Sequence, residues 1–102
     1  FNIQIMNKID KIKNLIKYLP SKDISIGEKF YHNRDFQSLQ ELIDSAIYKI
    51  EKNNEKETPN PQLLNLDMES LVLLKTEVDN IVIQLSIEDN EENNKEIDDG
   101  EY

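Results

Sequence analysis

The chain has 102 residues, 21 acidic against 12 basic side chains, a formal net charge of −9 and no cysteine. This length allows one domain with a modest core. The lack of cysteine excludes thiol catalysis, thiolate zinc sites and disulfide frameworks, and no apolar run approaches the roughly 20 residues that span a membrane.

The first predicted element is a helix over residues 4–19. Its apolar residues recur at spacings of four, three, four and three: Ile5, Ile9, Ile12, Ile16 and Leu19. Pro20 ends it, because the residue before a proline avoids helical geometry. Ser21 is the predicted cap of a short second helix over residues 22–32, where Gly27 weakens the helix but lets a neighbour approach closely. The expected buried side of this helix is Ile24, Ile26, Phe30 and Tyr31.

The central helix is predicted over residues 36–52. Its stripe has the most regular spacing in the chain: Phe36, Leu39, Ile43, Ala46 and Ile50. Asp35 is the favoured N-cap because Phe36 belongs to the stripe, although Ser38 with Glu41 also has capping-box spacing. Residues 53–62 contain two prolines and no apolar aliphatic side chain, which predicts a loop.

The last helix is predicted over residues 68–87, with Asp67 as its N-cap. Its stripe again repeats at three and four: Leu71, Leu74, Val78, Ile81 and Leu85. Residues 81–87 also alternate as a strand would. A helix is favoured because the upstream phase continues through them and no other segment offers a partner strand.

Residues 88–102 hold eight acids and one lysine, and this composition predicts a tail that is disordered in isolation. The expected fold is therefore all-α: a three-helix bundle over residues 1–87, with a short extra helix between the first and central helices, followed by the acidic C-terminal tail. A calcium loop at residues 89–94 is disfavoured, since it lacks the required glycine and alternating ligands. Phe1 is not a start methionine, so Met6 is a candidate natural start.

Candidate chemistry is sparse. His32 is the only histidine, and Asp35 nearby could orient it as a general base, but a corner residue with a local hydrogen bond is the favoured interpretation. Paired carboxylates such as Glu41 and Asp44 suit solvated helix faces, since a diiron bundle needs two histidines. The sequence thus predicts no enzyme, cofactor, metal site or small-molecule substrate.

The last helix carries a second apolar set: Val72, Leu73, Val82, Ile83 and Ile87. A helix that is apolar on more than one side is either central in its bundle or covered by another chain. The short helix with residues 63–66 could cover this set, or a protein partner or second copy could. These residues are the candidate interface of a predicted protein–protein interaction module.

The uneven distribution of charge along the chain supports an alternative function. Residues 1–34 have seven basic and three acidic side chains, whereas residues 35–102 have five and 18. This asymmetry suggests an acidic regulator, or DNA-mimic-like inhibitor, that binds a basic nucleic-acid-binding protein. Direct binding to nucleic acid is disfavoured because the whole protein is acidic.

Residues 18–50 resemble small uncharacterised helical proteins of low-GC gut bacteria and their phages, without matching a defined family. The resemblance lies in Leu19-Pro20, Asp23-Ile24, Arg34-Asp35-Phe36 and Leu42-Ile43-Asp44-Ser45. It implies an accessory or structural protein of a phage or mobile element, with a cytoplasmic or virion-associated location.

Overall fold

A computed structural model describes the backbone of residues 3–101 and the side chains of residues 6–87. Four α-helices and two short 3₁₀ turns follow in chain order: α1 (Ile3–Leu15), a turn (Ile16–Tyr18), α2 (Ser21–His32), α3 (Phe36–Asn54), a turn (Pro61–Leu63) and α4 (Met68–Glu101). The all-α prediction is confirmed. Across the described backbone there is no strand, and residues 81–87 are helical.

The core joins one stripe from each long helix. Its buried apolar members are Ile9, Ile12, Ile16, Leu19, Tyr31, Phe36, Leu39, Ile43, Ala46, Ile50, Leu71, Leu74, Val78 and Ile81. Every stripe residue predicted for α3 is among them, and Leu85 packs half-buried against this cluster. Ile5 was also predicted to be buried, but its side chain lies outside the described residues.

Helix α4 packs on both α1 and α3, while α2 packs on α3 and on the first 3₁₀ turn. The direction of α3 against α4 follows from two polar contacts. The side chain of Gln40 donates to Asp79, and Lys75 contacts Asp44. The earlier residue of α3 meets the later residue of α4, so these two helices are antiparallel.

The start of α2 differs from the prediction. Ser21 is the first helical residue and Pro20 is the N-cap, whose carbonyl accepts the N–H of Asp23 at 2.8 Å. Ile26, predicted to be buried, is 44% exposed. The prediction was wrong because α2 turns Gly27 and Tyr31, four residues apart, towards the core.

Gly27 allows α2 to lie close to the end of the first helical segment. A Cβ atom at this position would be 2.8 Å from Cδ1 of Leu19 and 3.5 Å from Cγ2 of Ile16. Leu19 is fully buried, so its side chain has little room to move. The expected close approach at this glycine is therefore present.

Both predicted acidic caps are confirmed. Asp35 accepts the N–H of Ser38 at 3.2 Å at the start of α3. Asp67 accepts the Ser70 N–H through Oδ1 at 3.1 Å and the Ser70 hydroxyl through Oδ2 at 2.8 Å. These two bonds lower the pKa of the Asp67 carboxyl, the hydroxyl contributing most. Each carboxylate satisfies a backbone N–H that the helix itself leaves unpaired.

Two helices extend further than predicted. Helix α3 includes Asn53 and Asn54, because Asn53 is buried and bonded to Asn60. The α4 backbone continues past residue 87 to Glu101, through a segment that has no proline and includes five glutamates and one lysine, which are good helix formers. The side chains of residues 88–101 lie outside the description. Two predictions concern this segment: that the tail is disordered in isolation, and that residues 89–94 do not form a calcium loop. Both stay predictions.

Candidate protein-interaction surface

Four of the five candidate interface residues are exposed on α4. The exposed fractions are 47% for Val72, 48% for Leu73, 56% for Ile83 and 45% for Ile87. At 100° per residue these four lie on the side of α4 opposite its buried stripe. We call them the outer face.

The sequence left open whether other parts of the chain cover this face. Helix α2 packs instead on α3 and the first 3₁₀ turn. Leu63 and Leu66 pack against the core cluster. Among the described residues, the outer face is therefore left about half exposed to solvent.

Val82, the fifth candidate, has a different environment. It is half-buried and packs against the core cluster. It also lines a shallow depression with Phe36 and Leu85, where α3 begins. Its spacing of four from Val78 and three from Leu85 was the sequence signal that places it beside the buried stripe.

Two polar residues lie between the apolar pairs of the outer face. Thr76 is exposed and its hydroxyl donates to the carbonyl of Val72 at 3.0 Å; Asn80 is partly exposed. Together with three members of the outer face they repeat at three, four, three and four: Leu73, Thr76, Asn80, Ile83 and Ile87. We call these five the outer seam. Apolar spacing alone does not reveal this seam, because two of its five positions are polar.

On the α3 side of this surface the charges are paired. Lys75 Nζ lies 2.9 Å from Oδ1 of Asp44 and 3.0 Å from Oδ2 of Asp79. Oδ1 of Asp79 also accepts the side-chain N–H of Gln40 at 2.7 Å. The bonds to Asp44 and then Asp79 raise the pKa of Lys75. Asp79 therefore presents less uncompensated charge to an approaching chain than its sequence position suggests.

Among the described side chains of α4, Glu77 is the buried charged one. It is 9% exposed, and within the described part of the chain its Oε2 atom has no hydrogen-bond partner. Burying a carboxylate oxygen without a partner destabilises a fold. Its burial is not predicted by polarity, but its place one residue before Val78 in the core stripe is a sequence signal for it.

His32 is the last residue of α2. The imidazole is exposed and packs edge-on against Tyr31, with ring centroids 5.6 Å apart. The carboxylate that could have oriented it, Asp35, caps α3. Among residues with described side chains, no group of three His, Cys, Asp or Glu residues could hold a metal ion.

Comparisons with protein-family models, curated proteins and solved structures find no match. In the stretch that the structure describes, no helix combines the length and apolar character needed to cross a membrane. Among the described side chains, the other large exposed apolar residues are single ones on separate helices: Met6 on α1, Ile26 on α2 and Tyr48 on α3. Within residues 6–87 the outer face is thus the largest grouping of such residues, which makes it the candidate site.

Proposed function

We propose that this protein is a non-enzymatic helical interaction module that binds another protein chain through the outer face of α4. In this proposal α1, α3 and α4 form a three-helix bundle, with α2 as the short extra helix, and the bundle holds α4 rigid. The resemblance of residues 18–50 supports a role as an accessory or structural component of a phage or mobile element.

The observation that carries the proposal is the half-exposure of four aliphatic side chains along one helix. Together they leave on the order of a few hundred Å² of apolar surface in water, the size at which an exposed patch becomes informative. Covering this surface is favourable by about 25 cal/mol per Å². This burial favours association with a partner, and it must exceed the entropy lost when the two chains associate.

The test is a photo-cross-linking amino acid at position 83, compared with the same amino acid at position 26, in cells that make the protein. Ile83 and Ile26 are both exposed isoleucines, but only Ile83 belongs to the outer face. We expect a defined cross-linked protein species from position 83 and not from position 26. Equal labelling, or none, at the two positions would remove the outer face as the interface.

The segregation of charge supports one alternative, an acidic regulator or DNA-mimic-like inhibitor that acts through residues 88–102. Its partner would be a basic nucleic-acid-binding protein. Binding to a lysine-rich DNA-binding protein should then weaken steeply between 0.05 and 0.5 M salt, because screening shortens the reach of these charges to a few Å. Binding that resists salt would exclude this alternative.

A further inference from the structure

The outer seam has the spacing of a coiled-coil seam. Its residues alternate at three and four, as the a and d positions of a heptad do: Leu73, Asn80 and Ile87 at a, Thr76 and Ile83 at d. This repeat lies outside the core, since Leu73, Thr76, Ile83 and Ile87 are exposed and Asn80 is partly exposed. It covers about 21 Å of helix surface.

The seven-residue spacing continues in the sequence beyond the described side chains. The next a and d positions are Asn90, Asn94 and Ile97, all uncharged, although eight of the last fifteen residues are acidic. The backbone of α4 is helical through these positions. From residue 73 to 97 the repeat spans about three and a half heptads, and four of its eight a and d positions are apolar: Leu73, Ile83, Ile87 and Ile97.

Asn80 points to the identity of the second helix. Within the outer seam Asn80 is the one polar residue at an a position, and an asparagine buried there sets register and oligomeric state at a cost in stability. Its amide has both a donor and an acceptor, so it can satisfy an identical amide across a two-fold axis. The seam has no charged side chain with which an oppositely charged partner could pair.

The flanking residues also tolerate a second copy. In a parallel pair, Asp79 of one helix lies beside Gln84 of the other. The other flanking pair is Val72 with Glu77, but Glu77 is buried in its own bundle and presents little charge to the second copy. Neither pairing opposes like charges. Asp79 is in addition compensated within its own chain by Lys75.

We infer that two copies of this chain associate in parallel through the outer seam of α4, with Asn80 facing Asn80. The inference rests on the proposed function and names its partner as a second copy. Parallel pairing brings the two acidic C-terminal segments to the same end of the dimer. Added salt screens their repulsion, so the dimer should be as tight or tighter at high salt.

The absence of cysteine from the chain permits a clean test on the full-length protein. Asn80→Cys places one thiol on the inferred two-fold axis, and Asn14→Cys places one at an exposed position of α1. Under mild oxidation we expect the disulfide-linked dimer to form about tenfold faster or more at position 80, because the effective thiol concentration in the dimer is near millimolar.

Light scattering on the wild type and Ile83→Asp completes the test, with Ile26→Asp as the control. We expect a wild-type dimer at 0.05 and 0.5 M salt, a helical monomer for Ile83→Asp, and an unchanged dimer for Ile26→Asp. Asn80→Val should tighten the dimer about tenfold or more, because the polar a position weakens it.

Two results would overturn the inference. A wild-type monomer at every concentration and salt would exclude the second copy, while the cross-linking at position 83 in cells would still decide the proposed function. A dimer that Ile83→Asp abolishes, but in which position 80 cross-links no faster than position 14, would retain the outer face and exclude the parallel seam.

Discussion

The side chain of Asn53 forms a two-bond ring with the backbone of Asn60. Its Nδ2 donates to the Asn60 carbonyl at 3.1 Å, and its Oδ1 accepts the Asn60 N–H at 2.7 Å. Asn53 is 1% exposed, whereas its neighbour Asn54 is exposed. The ring fixes the path of the loop as it leaves α3, and Asn60 then caps the following 3₁₀ turn through Gln62.

Asn53→Ala should reduce the free energy of unfolding by about 2 kcal/mol. The substitution removes both bonds and leaves the Asn60 backbone groups without their partner. Asn54→Ala is the matched control and should have little effect. Urea unfolding measures both. Equal, small effects would show that water replaces the Asn53 amide at no cost.

Gly27 should tolerate alanine and reject a large side chain. Alanine gains about 1 kcal/mol of helix propensity, which the 2.8 Å approach to Leu19 offsets. Gly27→Leu should destabilise the fold by about 3 kcal/mol, because the added atoms must displace buried Leu19 and Ile16. Ser25→Leu, at an exposed position of α2, is the control. Thermal unfolding of Gly27→Leu close to that of the control would mean that α2 is loosely packed.

Lys75 should make the stability of the fold depend on pH in the alkaline range. Its pKa is raised in the folded state, so its contribution is complete below the unfolded value of about 10.4 and disappears as the pH rises through the folded value. Because the Lys75 side chain is 39% exposed, Lys75→Met should lower the free energy of unfolding by less than about 1 kcal/mol at pH 7. The difference in unfolding free energy from the wild type should narrow above pH 10.

Lys49→Met is the control for that series, since Lys49 is an exposed lysine of α3. Denaturant titrations from pH 7 to 11.5 give the comparison. A gap between the wild type and Lys75→Met that stays constant over this range would show that the contacts with Asp44 and Asp79 do not act through charge. High salt should also narrow the gap at pH 7.

Glu77→Met should stabilise the protein by about 1–2 kcal/mol. It replaces a buried carboxylate, one oxygen of which lacks a partner, with an apolar chain of similar length. The midpoint of thermal unfolding should rise by roughly 4–8 °C per kcal/mol. Glu69→Met, at an exposed position of the same helix, controls for loss of charge. A lower midpoint for Glu77→Met alone would reveal a hydrogen-bond donor for Glu77 in solution.

The sequence predicted the helical elements because each long helix has a regular apolar stripe. In addition, α3 and α4 begin at side-chain caps that depend only on residues nearby in the sequence. Asp35 and Asp67 each accept the N–H of the residue three positions further along the chain, so the sequence pattern alone is enough to identify them. The buried residues of the short helix α2 were harder to predict. Ile26 and Gly27 are neighbours, and the close packing against Leu19, not hydrophobicity, determines which of them faces inward.

The candidate site was predicted in part. Hydrophobicity alone identified the outer face but grouped Val82 with it, since Val82 and Ile83 differ by one residue and only packing separates them. Hydrophobicity also overlooked Thr76 and Asn80, whose positions matter more than their polarity. The pairing of Lys75 with Asp44 joins residues 31 apart, and no local pattern predicts it.

Helix α4 has two stripes of identical spacing, displaced by two residues along the chain. The buried one is wholly apolar from Leu71 to Leu85, whereas the outer seam is interrupted by Thr76 and Asn80. During folding, a helix with two equal stripes could dock either way round and yield two competing bundles. Turning α4 over would bury a hydroxyl and an amide in the core, so these two residues also give the chain a single native rotation of its longest helix.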